Sequence, residues 1–162
     1  MSADATFNSL VGDLDYPMFI VTACADGERS GCLIGFATQT SIDPSRFLVC
    51  LSQKNRTYRV AVRAALLGVH FVPAQADALA ELFGGQTGDE IDKFARCAWR
   101  PGPEGTPLLD DCPNRFVGRV LERMDAGDHD VFLLEPVMAE EGTASHEFTF
   151  HRAKRIEPGH EA

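Results

Sequence analysis

Long apolar runs are missing from this 162-residue sequence: no stretch approaches the ~18 consecutive apolar residues that cross a bilayer. No basic segment leading into an apolar one opens the chain either, so the expected location is the cytoplasm, with no membrane partner. Positive charge is scarce, with 15 Lys and Arg against 24 Asp and Glu and a formal net charge of −9. A field of that sign repels nucleic acid and anionic membranes, but it is compatible with a small anion in a locally basic pocket. The five cysteines are an odd number, and none lies two or four residues from another, which argues against a disulfide framework and a zinc site. No metal is expected. Cys24 and Cys50 lie within apolar runs and read as small buried hydrophobes. Also missing are HExxH, GxSxG, GxxxxGK[ST] and GxGxxG, so a nucleotide bound here is held without a Rossmann or P-loop unit.

What is present is one domain, residues 1–162, with a core over about 14–156, long enough to bury a substantial interior. Residues 16–24 form a nearly continuous apolar run, residues 25–28 (Ala-Asp-Gly-Glu) supply turn chemistry, and residues 30–41 resume as a second strand of a hairpin. Asp43-Pro44-Ser45 breaks the chain before a buried strand over 46–51. Tyr58, Ala61, Val62, Ala65 and Leu66 then recur at helical spacing behind an Asn55 N-cap, with Arg56, Arg59 and Arg63 on the other face, which predicts a helix ending near Gly68. A short strand over 68–72 and a helix from Ala76 to the Gly84-Gly85 pair follow. Residues 84–107, with Lys93, Phe94, Trp99 and Arg100, read as an ordered irregular loop of the kind that often carries function. Strands over 116–124 and 131–137 joined by a turn at 125–128, a weaker strand over 148–156 and a loose terminus complete the chain. The class is mainly β, α+β, a small barrel rather than a sandwich because the helices must cover part of one sheet.

Three places carry candidate chemistry. Ser52, Lys54, Asn55, Arg56 and Thr57 leave a buried strand and open a helix, where free N–H groups, hydroxyls and cations suit a phosphate; helix capping with solvated cations is the plainer reading of the same residues. Gly35, Phe36, Ala37, Thr38, Gln39 and Ser41 surround a glycine inside a strand, which implies a bulge or a close backbone approach that could present N–H groups to a planar heterocycle. His129 follows Gly127-Asp128 in a turn and precedes Asp130, and its two acidic neighbours favour a cation able to meet an anionic substrate.

In order and spacing, YPMFIVTACADGERSG, GFATQTSIDPSRFLVCLS, KNRTYRVAV, DKFARCAWRPGPEGTPLL and DAGDHDVFLLEPV resemble the flavin reductase family with the FMN-binding split-barrel fold, from residue 16 to about 137. The resemblance implies a Greek-key split β-barrel with a few peripheral helices. It implies that residues 35–41 lie along the isoalloxazine and ribityl chain of FMN or FAD, and that residues 52–57 receive the phosphate. His129 is then placed beside the flavin, near the nicotinamide of NADH or NADPH. The implied activity is NAD(P)H-dependent flavin reduction by a homodimer with flavin near its interface, in one version feeding a partner monooxygenase. Hydride would pass to flavin N5 while strand N–H groups meet the charge developing at the far edge of the ring. A flavin-holding electron carrier without nicotinamide turnover is the alternative, and a haem or deazaflavin barrel a more distant one, since no histidine is singled out as an axial ligand. The chain departs from many relatives at Leu33, Gly35, Phe36, Gln39, Ser45 and Leu134.

Overall fold

The computed structural model describes residues 2–143 and 146–159, so the last three residues of the expected loose terminus lie outside the described residues. The hairpin at the start of the barrel forms as its sequence requires: β1 (Phe19–Ala25) and β2 (Glu28–Ile34) pair antiparallel. Asp26 (φ 54°) and Gly27 (φ 76°) both adopt the left-handed conformation that a two-residue turn matching strand twist demands. β3 (Ala37–Ser41), β4 (Arg46–Ser52), β5 (Leu66–Phe71), β8 (Arg115–Asp125) and β9 (His129–Glu140) complete a seven-stranded antiparallel sheet in the order β2-β1-β5-β8-β9-β4-β3. Short strands β6 (Trp99–Pro101) and β7 (Pro107–Leu109) pair beside it.

That order explains the barrel. The strands at its two ends, β2 and β3, are consecutive in the chain and separated only by Gly35 and Phe36, so the sheet must curl until its ends approach. The strand expected over 30–41 is therefore two strands at opposite ends of the sheet, parted at Gly35-Phe36. Gly35 is required by close approach: a Cβ there would stand 2.6 Å from Tyr16 Cε2 and 3.0 Å from Met18 Sδ. The bulge of this segment lies further on, between Gln39 and Ser41.

The continuous apolar run of β1 has the same origin, because the strand is buried on both faces. Phe19, Val21 and Ala23 point into the barrel with Val49, Leu51, Leu67, Phe132 and Leu134, while Met18 and Ile20 face a second core built with Leu79, Phe83, Phe94 and Phe148. Helix α3 (Asp77–Gly85) supplies Leu79, Ala80 and Phe83 to that outer layer. Leu134, one of the departures noted above, is fully buried, and Gly118 makes room for it, since a Cβ on Gly118 would meet Leu134 Cβ at 2.8 Å.

Several sequence expectations are corrected. Helix α2 spans only Arg56–Ala61, and Gly68 lies inside β5, where a Cβ would stand 2.3 Å from Thr22 Oγ1; the glycine serves strand packing and does not end a helix. The expected final strand is a short helix, α4 (Phe150–Ala153), preceded by isolated bridges at Glu147 and Thr149. Cys24 and Cys50 are half-buried, whereas Cys32 and Cys112 are the buried thiols. Helix α1 (Ala3–Gly12), whose first turn is capped by Ser2, buries none of its side chains. The 84–107 segment is held by Lys93, whose buried ammonium donates to the Gly31 carbonyl at 3.0 Å and to the Phe83 carbonyl at 3.1 Å. Phe94 is core, Trp99 packs against it, and Arg100 pairs with Glu140, so these three side chains serve packing and charge pairing. No helix of the described residues is long and apolar enough to cross a membrane.

Candidate functional site

The parting of β2 from β3 opens a cavity of about 230 Å³ at the barrel seam. Its walls come from the approach to β1 (Tyr16, Met18), from β2 and the seam (Leu33, Gly35, Phe36), from the β4–α2 junction (Cys50, Ser52, Asn55), and from His129 and Phe150. Five of the residues singled out from sequence, Gly35, Phe36, Ser52, Asn55 and His129, thus meet at one place although they lie on three separate segments.

The β4–α2 junction is fixed by hydrogen bonds. Asn55 Oδ1 accepts from the Thr57 N–H at 2.9 Å, capping α2, and Ser52 Oγ accepts from the Lys54 N–H at 3.4 Å. Buried Asp130 accepts from Gln53 Nε2 at 2.8 Å and from the Tyr58 hydroxyl at 2.9 Å, which ties the start of β9 to this junction; that bond raises the Tyr58 pKa. Lys54 is exposed beside Asp128. Arg56 and Thr57 are not part of the cavity wall: Arg56 turns to carboxylates at the surface and Thr57 into the interior. The Arg56 guanidinium donates to Glu28 at 2.8 Å, and buried Thr57 shares a 2.8 Å hydrogen bond with Ser30.

At the rim, His129 Nδ1 stands 2.7 Å from Asp128 Oδ1, and this contact holds the Asp128 carboxyl below its usual pKa. Only one of the two flanking aspartates faces the imidazole, because Asp130 is engaged by Gln53 and Tyr58. The exposed Phe36 ring lies 5.1 Å from the imidazole, and its carbonyl accepts from the Cys50 N–H at 2.9 Å. Ala37, Thr38, Gln39 and Ser41 continue along β3, the strand at the end of the sheet; Gln39 Nε2 donates to the Ser41 carbonyl at 3.3 Å. None of these four lines the cavity.

The sequence reading missed Tyr16, Met18, Leu33, Cys50 and Phe150 as lining residues. Tyr16 and Phe150 stack with ring centroids 4.7 Å apart and planes 10° from parallel. The YPM spacing hinted at the first wall, but nothing local marks Phe150, whose position depends on contacts far away in the chain. A larger cavity of about 550 Å³ lies elsewhere, between Phe71, Pro73, Leu79 and Asn114, and contains none of the candidate residues.

Aromatic walls, hydroxyl and amide donors at one end, an imidazole at the rim and a glycine whose missing Cβ keeps Tyr16 in place suit a planar heterocycle with a polar tail. Among the described residues there is no group of three or more side chains able to hold a metal. These features define a class, a split β-barrel with an aromatic-walled cavity at its seam. The chain belongs to the flavin reductase like domain family, whose family profile matches residues 11–157. It is 31% identical over 133 residues to the FMN reductase (NADH) RutF of Cronobacter sakazakii, covering 82% of this chain and 80% of that one. It is 30% identical over 118 residues to the FMN reductase (NADH) RutF of Bradyrhizobium diazoefficiens, where the match covers 73% of this chain but only 65% of that protein. The solved structure of the Streptomyces globisporus NADH:FAD oxidoreductase SgcE6 superposes with a TM-score of 0.82 over 91% of this chain and 88% of that one, at 21% identity, a likeness of fold.

Proposed function

We propose that this protein is an NAD(P)H:flavin oxidoreductase that binds FMN, or FAD, in the seam cavity. The observation that carries the reading is the convergence of Gly35, Phe36, Ser52, Asn55 and His129 on one aromatic-walled cavity. Bound there, a flavin supplies the hydride-accepting chemistry. The chain's own residues do the rest. Tyr16, Phe36 and Phe150 exclude water from the ring faces, and Ser52 with Asn55 meets the polar tail. His129, oriented by Asp128, meets the carboxamide end of the nicotinamide. No general acid or nucleophile is needed, in keeping with a lining that offers one imidazole and no carboxylate dyad.

The same reading makes the working unit a homodimer. A cavity of about 230 Å³ is below the size that encloses a whole cofactor, so a second copy would complete it. The outer side of the sheet beside it supports this. Cys50, Val131 and Met124 stand in one row across β4, β9 and β8, and Leu48 pairs with Leu133 in the next, with Met124 60% exposed. Reduced flavin released from such a site would serve a partner monooxygenase.

The test is to mix the purified protein with free FMN and NADH or NADPH under anaerobic conditions. Bleaching of the flavin absorbance is expected. Tight FMN copurification with no nicotinamide oxidation would replace this reading with that of a flavin-holding electron carrier.

A further inference from the structure

We infer that the C-terminal turn is part of the site, with Lys154 as a contact for the pyrophosphate of a dinucleotide that leaves the cavity past Phe150. The inference rests on reading the cavity as a flavin site. Residues 147–153 are tied across the approach to β1. Phe148 O accepts from Met18 N at 2.8 Å, Phe150 N donates to Tyr16 O at 2.9 Å, and His151 N donates to Asp15 Oδ1 at 2.9 Å. This lattice sets Phe150 against Tyr16 as a wall of the cavity.

The turn is also the most basic stretch of an acidic chain, with His151, Arg152, Lys154 and Arg155 within five residues. Most of that charge is spoken for. His151 Nδ1 lies 3.7 Å from Asp15, Arg152 pairs with Asp77, and Arg155 lines a separate cleft with Asp77 and Glu81. Lys154 differs. Its ammonium lies 5.3 Å from the centre of the Phe150 ring, it is exposed, and among the described residues no carboxylate is within ion-pairing distance. An exposed ammonium without a carboxylate, seated on a ring that walls the cavity, is a contact for an anion emerging from it. Ser52 and Asn55 already stand at another part of the lining to receive the phosphate of a mononucleotide. The anion at Lys154 is then the additional phosphate of a dinucleotide, either NAD(P)H or FAD.

The experiment compares Lys154→Glu and Lys154→Arg with the native protein. It measures steady-state KM for NADH and for reduced nicotinamide mononucleotide, and binding of FAD and FMN by flavin fluorescence. For a nicotinamide dinucleotide, Lys154→Glu raises KM for NADH about tenfold with kcat within about twofold, leaves the mononucleotide unaffected, and Lys154→Arg restores native values. For FAD, the same variant weakens FAD binding relative to FMN by a similar factor. If both ratios, NADH to mononucleotide and FAD to FMN, stay unchanged in Lys154→Glu, the inference fails. Should the native protein oxidise no nicotinamide, the reductase reading falls, while the FAD-to-FMN ratio still decides the role of Lys154.

Discussion

The imidazole of His129 is held between a carboxylate and an aromatic ring: Asp128 Oδ1 is 2.7 Å from its Nδ1, and the Phe36 ring centre is 5.1 Å from its own. The carboxylate fixes which nitrogen turns to the cavity, and the ring covers one face of the imidazole. Both restrict it to the rim where a nicotinamide would lie over a flavin. Replacing His129 with Ala is expected to lower kcat/KM for NADH by about 10- to 100-fold, the loss of a charged hydrogen bond, with little change in FMN affinity. Asp128→Asn should produce a smaller loss in the same direction. Stopped-flow reduction of bound flavin reads both, and equal loss of FMN binding in His129→Ala would show a structural role instead.

One variant separates the capping role of Asn55 from its proposed phosphate contact. Its Oδ1 caps α2 through the Thr57 N–H, so Asn55→Ala is expected to cost about 1 kcal/mol of stability. If the residue also meets the flavin phosphate, the same variant weakens FMN binding more than binding of riboflavin, which has no phosphate. Equal effects on the two flavins would reduce Asn55 to a cap.

Gly35 has no room for a side chain. A methyl group 2.6 Å from Tyr16 Cε2 must displace the Tyr16 ring and disturb its stack on Phe150. Gly35→Ala is expected to lose about 1–3 kcal/mol in urea denaturation and to bind flavin more weakly than the native protein. Unchanged flavin affinity in a destabilised variant would place the ring system elsewhere.

His70 sets a stability window. It is fully buried in the core, donating from Nδ1 to the Ile20 carbonyl at 3.0 Å and accepting from the Leu109 N–H at 3.0 Å, and burial pushes its pKa from 6.5 down to about 4. A lowered pKa means that the unfolded chain takes up the proton first. Stability is therefore full above pH 6.5 and falls as the pH drops toward 4, by on the order of 3 kcal/mol. His70→Gln keeps one donor and one acceptor without the titration. Its urea midpoint should fall less than that of the native protein between pH 7.5 and 4.5, and parallel loss would assign the effect to other groups.

Met124 tests the dimer. It is 60% exposed, so Met124→Glu should leave monomer stability within about 0.5 kcal/mol. If the β4-β9-β8 face joins two copies, sedimentation of this variant shows monomers with weakened FMN affinity. A native protein that sediments as a monomer would remove the dimer from the proposed function.

Much of this protein follows from local sequence. The β1–β2 hairpin follows from Asp26-Gly27 between apolar runs, the N-cap from Asn55, and the last hairpin from the turn before His129, because each depends on neighbours a few residues apart. What failed was wherever a residue answers to distant atoms. Gly68 looked like a helix end, yet it is small because Thr22 on β1 lies against it. The segment 148–156 has strand-like composition, yet its backbone is taken up by Tyr16 and Met18 and then coils. Residues 30–41 read as one strand, since nothing within them says that β2 and β3 pair with different partners. The site shows the same division. The sequence by itself determined which residue types could hold a flavin nucleotide, and its family. Only the closing of the sheet decided that Gly35, Phe36, Ser52, Asn55 and His129 share a cavity, that Arg56 turns to Glu28, and that Phe150 forms a wall. Those outcomes depend on long-range packing and charge pairing, whose partners are set by strand order and not by spacing along the chain.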